Sequence, residues 1–171
     1  MSIINLALNN LQYSLSSSNV IIAEDKRFLS MNIKLFVATK AFVNYKGRIL
    51  ILRESLKYVD GANINKYDVA GGRIKPGQNF KTSLRREIKE ETGLKVEIGK
   101  PFFVGEWRPV VKGEKWQIVG AFFECFVKSD QIKLSKNHDD FKWINPGEYK
   151  KYNLIENLRP AFQEFLGKDE Q

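Results

Sequence analysis

At 171 residues, with 43% hydrophobic and 28% charged side chains, the chain has the length and balance of one ordinary globular domain able to bury a core. A single cysteine, Cys125, excludes an intrachain disulfide framework and fits a reducing compartment, and no apolar run approaches membrane-spanning length. The formal net charge of +8 admits either nucleic acid or small phosphorylated molecules as partners, but the basic residues are scattered and no RNA-binding signature is present, which favours the small molecules.

In chain order, residues 1–30 stand apart as an N-terminal extension, flexible or an oligomerisation arm of a homodimer, ahead of a domain at 31–171. Met1 to Ser18 carries no basic leader and has asparagines at Asn5, Asn9 and Asn10, which argues against a secretory signal and for a cytoplasmic protein. Ile33 to Val43 and Arg48 to Glu54 read as two strands of a hairpin around Asn44-Tyr45-Lys46-Gly47. Lys57 to Lys66 is a polar loop, and Tyr67 to Ala70 a short strand delivering Gly71 and Gly72. Phe80 to Thr92 is a helix: Asn79 is a natural N-cap, Phe80, Leu84 and Ile88 form an apolar stripe, and Gly93 suits a left-handed stop. Lys95 to Ile98, Pro101 to Arg108 and Trp116 to Val127 are strand-like, with a turn at Lys112 to Lys115. A last helix is expected around Leu154 to Leu166, with Pro160 bearing on where it starts. This order predicts an α/β sandwich in which two helices pack on a mixed sheet. The apolar setting of Cys125 marks it as a buried core thiol.

The helix carries the chemistry. Glu87, Glu90 and Glu91 fall at i, i+3 and i+4, so their side chains converge on one patch. Glu90 has Arg86 one turn back, whereas Glu87 has no cation at helical spacing and faces like charge. Such repulsion costs about 0.2–0.5 kcal/mol per pair, and a bound divalent cation would reverse it. Carboxylates are hard ligands that favour Mg²⁺ or Mn²⁺, and the lone His138 and Cys125 supply no zinc set.

Gly72-Arg73-Ile74-Lys75-Pro76-Gly77-Gln78, followed by Arg86-Glu87-Ile88-Lys89-Glu90-Glu91-Thr92-Gly93-Leu94, resembles the Nudix box, G-x5-E-x7-R-E-U-x-E-E-x-G-U with U aliphatic. Every fixed position agrees except the first acidic one, occupied by Gln78. The resemblance implies an α/β/α sandwich and a metal-dependent hydrolase that splits a nucleoside diphosphate linked to another group. By position, Glu87, Glu90 and Glu91 would be metal-binding carboxylates with the Gly71 carbonyl a further ligand, Glu90 and Glu91 also being those on which turnover depends. Arg86 would orient a glutamate or the loop, and Gly72, Gln78 and Gly93 would be structural. Glutamine preserves geometry if that position ties the loop to Arg86, and lowers activity if it carries a proton or orients a metal-bound water. Asn137 to Trp143 is similar to the family's late acidic loop, in which Asp139 or Asp140 would act as base or outer metal ligand.

Outside the box, Arg53, Arg73 and Lys75 are candidates for phosphate contact, since lysine and arginine recognise phosphate oxygens. Tyr67, Trp107 and Trp116 are candidates for stacking on a base, against a core role for each. A nucleoside triphosphate is the leading substrate. ADP-ribose or a nucleotide sugar comes second, Pro109 resembling the placement of a proline in the family's ADP-ribose hydrolases. Dinucleoside polyphosphates and capped RNA stay open. An alternative of another class is a domain that senses nucleotides without turnover.

Overall fold

The computed structural model describes residues 33–57 and 63–167. The expected N-terminal extension, residues 1–30, and the tip of the polar loop lie outside the described residues. The first two strands, β1 (Ile33–Tyr45) and β2 (Arg48–Glu54), form the hairpin. Lys46 and Gly47 turn it at φ of 51° and 79°, and the Gly47 N–H donates to Asn44 Oδ1 at 2.9 Å.

The remaining elements are β3 (Tyr67–Asp68), β4 (Gly71–Arg73), α1 (Phe80–Thr92), β5 (Glu97–Trp107), β6 (Val110–Val111), β7 (Glu114–Phe126), β8 (His138–Ile144), a short 3-10 turn (Pro146–Lys151) and α2 (Leu158–Gly167). Among the described residues the strands make one mixed sheet of eight, ordered β3-β2-β1-β7-β5, with β4 on β1, β6 on β7 and β8 on β2. One edge of β1 runs parallel to β7 from Ile33 to Asn44. The other is shared: β4 pairs at Ala38 to Lys40, and β2 at Asn44 and Tyr45.

Strand alternation separates two cores. Ala41 and Val43 of β1 with Leu50 and Leu52 of β2 pack under Leu84 and Ile88 of α1. Phe42, Ile49 and Ile51 face the other way, against Phe162 and Phe165 of α2. The result is the predicted α/β/α sandwich. Cys125 lies fully buried in the first core, and burial pushes its thiol up to about 12, so it is an inert core group.

The helix α1 has the predicted bounds. Asn79 Oδ1 accepts from the N–H groups of Lys81 (3.0 Å) and Thr82 (3.4 Å), and Gly93, at φ 74°, donates its N–H to the Lys89 carbonyl. Several boundaries differ from expectation, β7 for one starting at Glu114, within the expected turn. The segments Lys95 to Ile98 and Pro101 to Arg108 are one strand, β5, with register shifts around Pro101, which has no N–H for the ladder. The short strand expected over Tyr67 to Ala70 stops at Asp68, and Gly71 and Gly72 are themselves paired in β4. The last helix begins at Leu158, not Leu154. Pro160 is its third residue, inside the first turn, where an N–H has no intrahelical acceptor to lose. Leu154 instead bridges to Tyr67. Finally, Asp139 and Asp140 lie within β8 rather than in a loop, because β8 pairs with β2 on both sides of a register shift that falls at Asp139. No helix among the described residues is long and apolar enough to cross a membrane.

Candidate active site

Two glycines let the carboxylate helix meet the sheet. Gly71 has φ 138°, and a Cβ there would stand 2.2 Å from the Thr39 carbonyl oxygen, so only glycine allows β4 its close approach to β1. At Gly72 a Cβ would stand 2.9 Å from Cδ of Glu87. Gly72 also lines a cleft of about 1150 Å³. The absent side chain lets Glu87 pack against Gly72, although Glu87, Glu90 and Glu91 do not themselves line this cleft.

Two of the three glutamates share a partner and the third has its own. Arg86 donates from Nη2 to Glu87 Oε1 at 2.7 Å and from Nη1 to Glu90 Oε2 at 3.0 Å. Its Nε is buried without a hydrogen-bond partner. Glu87 therefore does have a cation, contrary to the helical-spacing argument. The arginine side chain is long and forked enough to reach its sequence neighbour as well as the residue one turn on. Glu91 accepts from the Gly71 N–H at 3.0 Å. Burial pushes its carboxyl up to about 8, opposed by Lys40 and the Gly71 N–H and reinforced by Glu87 and Asp68.

Among the described residues no three His, Cys, Asp or Glu side chains are gathered into a ready cation cage. The donor set nevertheless suits a hard divalent ion: the candidates are all carboxylate or carbonyl oxygens, and Glu91 is buried without enough positive charge to favour its ionised form.

Two further groups at this place were not singled out in the sequence. Lys40, only 9% exposed, donates from Nζ to Asp68 Oδ2 at 2.5 Å. Burial depresses the lysine, but Asp68, Glu91 and Glu87 outweigh it and hold its pKa above the ordinary value. Both residues line the cleft, and Asp68 shares with Glu54, Glu91 and His138 a smaller cavity of about 120 Å³. Burial raises the pKa of Glu54 and lowers that of His138. The available signal was alternation, since Lys40 falls on the same side of β1 as Phe36, Ala38 and Phe42. A lysine among inward-facing apolar positions is a buried charge in need of a partner.

The other candidates divide. Arg73 lines the cleft, its guanidinium 4.7 Å from the Phe36 ring centroid and 4.4 Å from that of Trp116. Trp107 and Trp116 also line it, but Trp107 packs on Gly120, where a Cβ would meet its ring at 2.5 Å. Tyr67 is a core residue whose hydroxyl donates to Asp140, and it is not placed to stack on a base. Arg53 and Asp139 pair with each other at 2.7 Å and line neither cavity. Lys75 is exposed in a turn, where its N–H meets Gln78 Oε1 at 3.4 Å and its carbonyl accepts from the Gln78 N–H at 3.0 Å. The Gln78 side chain thus closes its own turn instead of reaching Arg86.

A family model for the NUDIX domain matches residues 36–165. The nucleoside triphosphatase NudI of Escherichia fergusonii is 28% identical over 96 residues, covering 52% of this chain and 68% of that protein. Among solved structures, a MutT protein from Methanosarcina mazei superposes with a TM-score of 0.71 at 24% identity, covering 81% of this chain and 97% of that one. An Ap4A hydrolase from C. elegans does so at 0.60 and 17% identity, covering 79% and 98%. At these identities the structures speak for the fold.

Proposed function

The chain belongs to the Nudix family, hydrolases of nucleotide pyrophosphate bonds, and from that premise we propose that it hydrolyses a nucleoside triphosphate with the help of Mg²⁺ or Mn²⁺. The observation that carries this reading is the glycine pair, which lets a helix bearing three carboxylates pack against β4, whose Gly72 lines a large cleft. Glu87, Glu90 and Glu91 would hold the cation, which when bound screens phosphate charge and lowers the pKa of the attacking water. Arg86 keeps Glu87 and Glu90 together on one guanidinium. Arg73, braced by two aromatic rings, presents a fixed cation to phosphate oxygens. As the water oxygen bonds to phosphorus, the bridging P–O bond breaks and the water's proton passes to a carboxylate, for which Glu90 and Glu91 are the candidates. Asp139, paired with Arg53 at 2.7 Å, stays a further candidate for that role.

A second reading, ADP-ribose or a nucleotide sugar, is favoured by the cleft itself. Its volume of about 1150 Å³ exceeds the roughly 300–1,000 Å³ usual for small-molecule sites, and Pro109 lines it. The buried, lone Cys125 supports a cytoplasmic location. The deciding experiment is release of phosphate or nucleoside monophosphate from a panel of nucleoside triphosphates, ADP-ribose, nucleotide sugars, dinucleoside polyphosphates and capped RNA, with Mg²⁺, with Mn²⁺ and with chelator. Metal-dependent turnover of triphosphates is the expected result. Silence across the panel from folded protein that still binds nucleotides would replace the enzyme with a sensing domain.

A further inference from the structure

Lys40 is placed in the site by backbone pairing. Its register partner across β1 and β4 is Gly71, whose N–H holds Glu91. Its ammonium meets Asp68 at 2.5 Å, and the charges of Glu91 and Glu87 lie near enough to act on it. Arg86 is already engaged by Glu87 and Glu90. Lys40 is therefore the cation paired with Asp68, and its charge also acts on Glu91.

We propose that Lys40 is a resident counter-cation of the carboxylate site: its ammonium supplies part of the positive charge that a divalent ion would otherwise bring, and so weakens the binding of that ion. It is a positioning residue, acting through Asp68 and Glu91. The inference rests on the reading that Glu87, Glu90 and Glu91 hold the cation. Two consequences follow from elementary electrostatics. Without a divalent ion, Lys40 compensates Asp68 and lowers the cost of ionising the buried Glu91. In the presence of one, the ammonium repels it across a medium less screening than water.

The test is Mn²⁺ binding to full-length, chelator-stripped protein, read from the electron paramagnetic resonance signal of free Mn²⁺. Lys40→Met is expected to bind Mn²⁺ about tenfold or more tightly than the natural protein, since one nearby repelling charge is removed. Lys40→Arg, which keeps the charge, is expected to restore the natural affinity. A purely structural lysine would give the opposite result, because its loss would loosen the site and weaken binding. Should Lys40→Met fail to fold by circular dichroism, Lys40→Gln makes the same comparison while still able to hydrogen-bond Asp68. Equal or weaker Mn²⁺ binding by the neutral variant, beside normal binding by the natural protein, overturns the role of Lys40 and leaves the metal reading intact. Absence of Mn²⁺ binding in every variant overturns both.

Discussion

Glu91 faces opposed demands, because the place that suits it as a ligand is one that resists its charge. Its folded pKa of about 8 lies above the ordinary 4.5. In cation-free protein the unfolded chain therefore ionises this group first as pH rises. The associated stability is fully present below about 4.5, declines between 4.5 and about 8, and is level above that. Denaturant melts across this range in chelator should show Glu91→Gln removing that decline. Binding of a divalent ion must expel the proton, so Mn²⁺ affinity should climb with pH and level off above about 8. Glu90→Gln and Glu91→Gln should each lower turnover by about two orders of magnitude or more while leaving the protein folded; near-natural turnover would remove them from the site. Gln78→Glu keeps an oxygen acceptor for the Lys75 N–H, so stability should change by less than about 0.5 kcal/mol. A large gain in turnover by that variant would mean that the natural amide limits catalysis. At this scale legibility followed sequence distance. The glutamates share one helix and announced themselves by spacing. Lys40 and Asp68 meet only across the folded sheet, as do Arg53 and Asp139, so neither pair is visible as a pair in the sequence.

Among elements, α1 was read to its ends because cap, stripe and stop agree: Asn79, Leu84, Ile88 and Gly93 each do what their chemistry predicts. Asn79→Ala should cost about 1 kcal/mol by thermal or chemical melting, since two N–H groups lose their acceptor. The strands were legible as strands but not at their joints. Pro101 suggested a break, yet the ladder continues past it with a shift of register. Gly71 and Gly72 read as lying just past the end of a strand, because glycine usually interrupts one. Here it serves contact instead, and a Gly71→Ala variant should displace β4 from β1. Hydrogen exchange would then quicken at Ala41, whose N–H donates to the Ala70 carbonyl at 2.8 Å.

At the scale of the whole molecule, a chain of net charge +8 carries a carboxylate site, so its general field attracts the anion that the bare site repels. The ratio kcat/KM for a nucleotide should accordingly fall as salt rises from about 0.01 M to about 0.15 M, over which the screening length shrinks from roughly 30 Å to 8 Å. A rate insensitive to salt would confine attraction to contact range. The pairing of β1 with β7 has a different reach. Ile33 finds its partner only at Lys115, and Asn44 only at Phe126. During synthesis the first strand therefore leaves the ribosome long before its neighbour exists, with Ala41, Phe42 and Val43 unable to complete either core. Nascent chains ending before Glu114 would expose this apolar segment to chaperones and to aggregation, whereas those extending past Phe126 could close the central pair.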